Sequence, residues 1–281
     1  MALALCGALA LVSGAAPAQA QHEGAIPVAA DLATYADLAS LAERSDMVIH
    51  VEIRRQTEVE RERAPGLAPG HARLYIEART LSLIAGNAPL GESLAYLVDV
   101  PLRPNGKPEK LKKREMILFA DAVPGRAGAV QLTGRSAQLD YSPGFVDRLR
   151  PVLSELVAPD APPAITGVSD ALSVPGTLAG ESETQVFLSA DDGAPVSITV
   201  LRRPGQRPVW GVSWGEIIDS AARPPRPGTL AWYRLACGLP ERLPSSANLA
   251  QDIAARRQAE RDYALVVEEL GACERAITEA I

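Results

Sequence analysis

The hydrophobic positions of this chain change period several times, and those changes outline its elements. Tyr35, Leu38 and Leu41 recur at helical spacing behind Thr34 and Asp37, a capping-box pair, and predict a short helix over 35–44. Met47–Ile53 turns strand-like, apolar at its start and alternating at its end. The stretch 54–71 is charged, then carries Pro65-Gly66 and Pro69-Gly70, and reads as a hairpin loop. Further strands are expected over 74–84, where Ile76, Ala78 and Thr80 share a face, and over 94–100, 116–120, 130–132 and 137–141. Ser142-Pro143 then opens a helix, with Ser as N-cap and Pro at its first turn, whose apolar side is Phe145, Leu149, Val152, Leu153 and Leu156.

Ala158–Pro163 is the best linker candidate. Beyond it, 184–188 and 196–202 read as strands. Pro204–Arg207 reads as a turn, and 209–218 as the strand returning from it. Leu230–Cys237 predicts a short helix, and Asn248–Ile281 a long one with Leu249, Ile253, Tyr263, Val266, Val267, Leu270 and Ile277 along its apolar stripe. The expected fold class is α+β. An antiparallel β-barrel or sandwich with a short leading helix comes first, and a smaller mixed unit with a β-hairpin and C-terminal helices follows. The expected domains are a signal peptide over 1–20, a β module over 21–157 and a mixed module over 164–281.

The first twelve residues justify that leader. Ala2–Val12 is uncharged and apolar but too short to span a bilayer, and Ala18-Gln19-Ala20 has the small residues of an export cleavage site. Cutting near Ala20 leaves Gln21 at the N-terminus. The expected location is therefore periplasmic or secreted, with no transmembrane span in the mature chain. No Lys or Arg precedes the apolar run, and a start codon placed too far downstream would explain that. A lipoprotein reading on Cys6 is rejected, because Leu5 is too large for that cleavage. The mature chain then keeps only Cys237 and Cys273, a pair expected to form a disulfide between two helices packed antiparallel.

The short helix, SDMVIHVEI, the strand closing on LSLIAG and then MILFA resemble exported OB-type modules of the netrin-like kind. The resemblance implies the fold alone. The netrin-like inhibitors depend on an N-terminal cysteine and several disulfides, and this chain has Gln21 there and no cysteine between it and Cys237. The whole chain also resembles exported alphaproteobacterial proteins, a likeness that supplies no function.

Composition narrows the chemistry. The 281 residues carry a net charge of −6, against the basic footprint of nucleic-acid binders. Arg outnumbers Lys 24 to 4, a bias that a GC-rich genome produces. The four lysines, Lys107, Lys110, Lys112 and Lys113, stand together with Arg114. They are a candidate contact for an anionic partner, or a soluble loop that keeps a sheet edge from pairing. Trp210, Trp214 and Trp232 are candidates for a sugar or peptide groove, or for the core of an aromatic-poor domain. Gly211–Gly215 matches G-x-S-x-G, but His22, His50 and His71 all precede Ser213, the wrong chain order for an α/β hydrolase. The order His50, Asp99, Ser213 suits a chymotrypsin-like triad, although the flanking motifs are missing. With no metal-ligand spacing and no phosphate loop, neither metal nor cofactor is expected. The sequence thus favours a non-catalytic binding or interaction protein of the cell envelope, its ligand or protein partner unspecified, with a Ser213 hydrolase as the alternative.

Overall fold

Alternation places the strands, and two buried cores place the sheets. The structure, a computed structural model, describes residues 30–87, 89–215 and 223–278. The expected leader over 1–20, the cleavage point at Ala20, His22 and the last part of the strand expected to reach Ile218 lie outside the described residues.

A 3-10 turn at Ala30–Leu32 leads into α1 (Tyr35–Glu43), whose start is the expected capping box of Thr34 and Asp37. Six strands follow: β1 (Met47–Glu58), β2 (His71–Ala85), β3 (Ser93–Pro101), β4 (Glu115–Ala122), β5 (Val130–Leu132) and β6 (Gln138–Asp140). They form one antiparallel sheet in the order β3-β2-β1-β4-β5, with β6 beside β4, curled into a half-barrel. Its two ends meet through a parallel bridge, Ala95 to Ala129. Inside the curl, Ile49, Val51, Ile53, Leu74, Ile76, Tyr96 and Leu118 form a closed apolar core. The phase of β2 explains the curl's inner face, since Ala72, Leu74, Ile76 and Ala78 are buried while Tyr75 and Arg79 are exposed.

The other side of the sheet is covered near the start of β1, the end of β2, the middle of β4 and β6. There Val48, Ile117 and Phe119 enter a second core with α1 and with α2 (Pro143–Leu156), which contributes Phe145, Leu149 and Val152. The same core continues into a four-stranded antiparallel meander, ordered β10-β9-β8-β7. Its strands are β7 (Ile165–Pro175), β8 (Ser182–Ala190), β9 (Val196–Arg202) and β10 (Val209–Ser213). Helices α3 (Leu230–Gly238) and α4 (Ile253–Leu270) pack on that meander. The fold is α+β, as the patterning implies.

Three expectations need correction. Strand β7 was not among those expected, although it pairs with β8 along its whole length, because Gly167, Asp170 and Pro175 interrupt its alternation. The terminal helix is shorter than 248–281. It starts behind its N-cap Asp252 and stops at Gly271, whose φ of +73° is a helix-ending conformation that glycine adopts without a Cβ clash. Leu249 and Ile253 are consequently exposed, and the buried stripe runs from Ala259 through Tyr263 and Val266 to Leu270. Cys273 therefore lies in the segment after α4 and not on a helix. It still meets Cys237 of α3 as a disulfide-capable pair, with a Cα–Cα distance of 5.1 Å.

Candidate binding groove

The residues singled out for catalysis are not assembled. His50 lies on β1, its Nε2 is 2.9 Å from Glu115 Oε2, and its ring stacks on Tyr141 with centroids 4.0 Å apart. Asp99 lies on β3, where the Arg73 guanidinium holds both carboxylate oxygens, Nε to Oδ1 at 2.7 Å and Nη2 to Oδ2 at 2.8 Å. Ser213 ends β10 in the other sheet, opposite Ser197, and is buried. The carboxylate and the imidazole that a triad would join are thus each engaged elsewhere.

The tryptophans form core rather than an open groove. Trp210 is 4% exposed and its Nε1 donates to Glu269 Oε2 at 2.6 Å, while Trp232 donates to Leu270 O at 2.8 Å. Both indoles therefore fix the end of α4. Trp214, just beyond β10, is half-buried against the same core.

The lysine loop folds back along β1. Past the last β1–β4 pair, Lys113 N donates to Ile53 O at 2.8 Å and Ile53 N to Arg114 O at 2.9 Å. The Gln56 amide then reaches Glu109 O and Leu111 N. Lys107, Lys110, Lys112 and Lys113 are exposed, whereas Arg114 is half-buried and bound to Glu109 and Asp140. The loop covers the stretch of β1 that β4 leaves unpaired, which is how lysine-bearing segments keep an edge from recruiting other chains.

A concave surface lies elsewhere, on the outer face of β2 and β3. Alternation turns Arg73, Tyr75 and Glu77 of β2 and Ala95, Leu97 and Asp99 of β3 away from the inner core. The register sets Tyr75 directly beside Leu97 on one side and Thr57 of β1 on the other. Tyr75 is 41% exposed and Leu97 50%, so an aromatic ring and an aliphatic chain form an apolar step. Ion pairs fence it, Arg73–Asp99 on one side and Arg55–Glu77 at 3.6 Å on the other. The hydrogen bonds that Arg73 donates to Asp99 raise the Arg73 pKa against the opposing effect of partial burial. The β1–β2 loop supplies Glu60 and Arg63, and the β4–β5 loop supplies Val123 and Arg126. Together they enclose a cavity of about 1160 Å³ that opens along β3 and β5.

Sequence reasoning missed this groove. The available signal was phase: Tyr75 is a large apolar residue between Arg73 and Glu77 on one face of β2, and Leu97 shares its face of β3 with Asp99. Among the described residues there is no group of three or more His, Cys, Asp and Glu arranged to hold a metal ion, and no helix long and apolar enough to cross a membrane. No family model matches the chain, and no curated protein matches it.

Proposed function

We propose that this is an exported, non-catalytic binding protein of the cell envelope, acting in the periplasm after cleavage near Ala20, and that the half-barrel is an OB-like module binding through its β2–β3 face. The carrying observation is the cavity of about 1160 Å³ floored by Tyr75 and Leu97. Two features support the OB-like reading: the strand order β3-β2-β1-β4-β5, and the parallel meeting of β3 with β5. In a partly open five-stranded Greek-key barrel of that kind, the face of strands 2 and 3 with the loops after strands 1 and 4 takes the ligand. Those are the elements that line the cavity here. Concave, partly apolar surfaces with a few convergent polar groups are the usual form of a binding site.

The test is retention of envelope extract on the immobilised mature chain. Replacing Tyr75 and Leu97 together by Ala should lower retention of the bound component about tenfold, equivalent to about 1.4 kcal/mol. The melting temperature should stay near wild type, since both side chains are partly exposed. A fluorophosphonate should leave Ser213 unlabelled. Retention indifferent to the double substitution, or labelling abolished by Ser213→Ala, would overturn the proposal.

A further inference from the structure

We infer that this chain pairs with a second copy of itself through the outer face of the β7–β10 meander. The inference is independent of the groove, and it begins with the register. Helices α3 and α4 cover the side of that sheet which carries Val186, Ile198, Val200 and Trp210. Directly opposite residues share a face, so the other side is built in rows. Val174, Glu183, Leu201 and Val209 form one row, and Leu172, Gln185, Thr199 and Gly211 the next, with Phe187 beside Ser197 below them. The large apolar members stand open, from 40% exposed at Phe187 and 42% at Leu172 to 52% at Val174 and 59% at Val209. Large apolar side chains exposed together on one face mark an interaction surface. Among them Gln185 Oε1, Thr199 Oγ1 and Ser197 Oγ are buried and make no hydrogen bond with a described residue. Such groups need a partner.

The face complements itself, which identifies the partner. A two-fold axis parallel to the strands, between β8 and β9, lays β7 on β10 and β8 on β9 of the other copy and keeps every row in place. Large residues then meet small ones, Leu172 over Gly211 and Phe187 over Ser197, while Val174 meets Val209. Gln185 lies over Thr199. An amide oxygen only accepts and a hydroxyl can donate, so each copy offers what the other lacks. Packed sheets keep their strands within about 30° of each other, which preserves the match near the axis. The turns follow the same symmetry. Arg203 and Arg207 of the β9–β10 turn come over Glu181 and Glu183 at the β7–β8 turn. Arg202 is held by Asp262, whereas those four make no ion pair with a described residue. The two glutamates accept only neutral N–H groups. At the opposite end of the sheet Asp191 and Asp192 of the β8–β9 turn face their own copies, and Asp170 lies at the rim. These carboxylates oppose association and keep it weak.

The experiment is sedimentation equilibrium of the full mature chain. Its average mass should rise toward that of a dimer between about 1 and 500 μM, the range of a weak complex. Phe187→Glu sets a carboxylate against the partner copy's Ser197 and should weaken association by about tenfold or more. Its melting temperature should stay near wild type, since Phe187 is partly exposed. The turns give a second arm. Arg203→Glu with Arg207→Glu, and separately Glu183→Arg, should each weaken self-association, because like charges then face each other. An equimolar mixture of those two variants should associate again, since each contact in the hybrid holds a Glu–Arg pair. The turn arm stands even if Phe187→Glu folds poorly. A chain that stays monomeric to about 500 μM overturns the inference. A dimer indifferent to Phe187→Glu and to the turn variants does likewise, as do turn variants that fail to recover on mixing. None of these results bears on the β2–β3 groove, so the proposed function stands or falls separately.

Discussion

Replacing Asp37 by Ala should destabilise the protein by about 3 to 5 kcal/mol, the range for removing one member of a buried, charge-assisted network. Asp37 is fully buried on α1 and gathers six hydrogen bonds. Two come from Thr34, N at 2.9 Å and Oγ1 at 3.0 Å; the first, with Asp37 N donating to Thr34 Oγ1 at 3.1 Å, closes the capping box. The other four come from the C-terminal segment: the backbone N–H groups of Ala276, Ile277 and Thr278, and the Thr278 hydroxyl at 2.6 Å. One carboxylate therefore ties the first helix to the last described residues of the chain. Without it, four backbone donors lose their acceptor together, those of Thr34, Ala276, Ile277 and Thr278.

The same site gives a pH dependence. Burial alone would raise the Asp37 pKa, but the donors from Thr278, Ala276 and Thr34 outweigh it and hold the carboxyl below its usual 3.8. A pKa lower in the folded state means that the folded protein binds this proton less readily than the unfolded chain. The stabilisation is then fully present above about pH 4 and is lost as the pH falls through the folded value. Denaturant titrations should show a steeper loss below pH 4 in the wild type than in Asp37→Asn. Parallel acid profiles for the two would contradict the assignment.

The second large effect belongs to the cysteine pair. Cys237 and Cys273 are 36 residues apart, and closing a loop of that length removes chain entropy worth about 4 kcal/mol in the unfolded state. Replacing both by Ser should lower the melting temperature by about 10 °C for a protein of this size. The bond anchors the segment that carries Thr278 back to Asp37, so the two sites should couple. The Asp37→Ala penalty should be smaller in the double-Ser background, where that segment is already loosened. An unchanged melting temperature in the double-Ser protein would show that the bridge adds nothing. The proposed groove, which packs on a different core, should keep its shape after the substitution at temperatures where the protein stays folded.

The legible parts of the fold were those governed by local rules. The capping box of Thr34 and Asp37, the Ser142-Pro143 helix start and the β9–β10 hairpin follow from a few neighbouring residues. The pairing of the two cysteines was legible by elimination. What stayed hidden depended on contacts distant in sequence. Strand β7 has little alternation of its own and is held by β8 on one side and by Ala247 and Leu249 on the other. The sequence leaves the tryptophans as groove or core, and nothing local to Trp210 announces that Glu269 of α4 would cap its indole. Asp37 has the sequence signature of a capping residue, and nothing local to it announces that residues 276–278 return to it. The groove needed the curl itself, because Tyr75 and Leu97 become a recessed step only when β3 approaches β5 and two loops rise around them.

The most direct test of the binding role is photo-cross-linking in living cells. A photoreactive residue replaces Tyr75 in one strain and exposed Val157, at the end of α2, in another. The account predicts a discrete envelope adduct from position 75, absent at 157 and diminished when Leu97 is changed to Ala. Equal adducts from both positions, or none from position 75 in protein shown to be exported and folded, would contradict it.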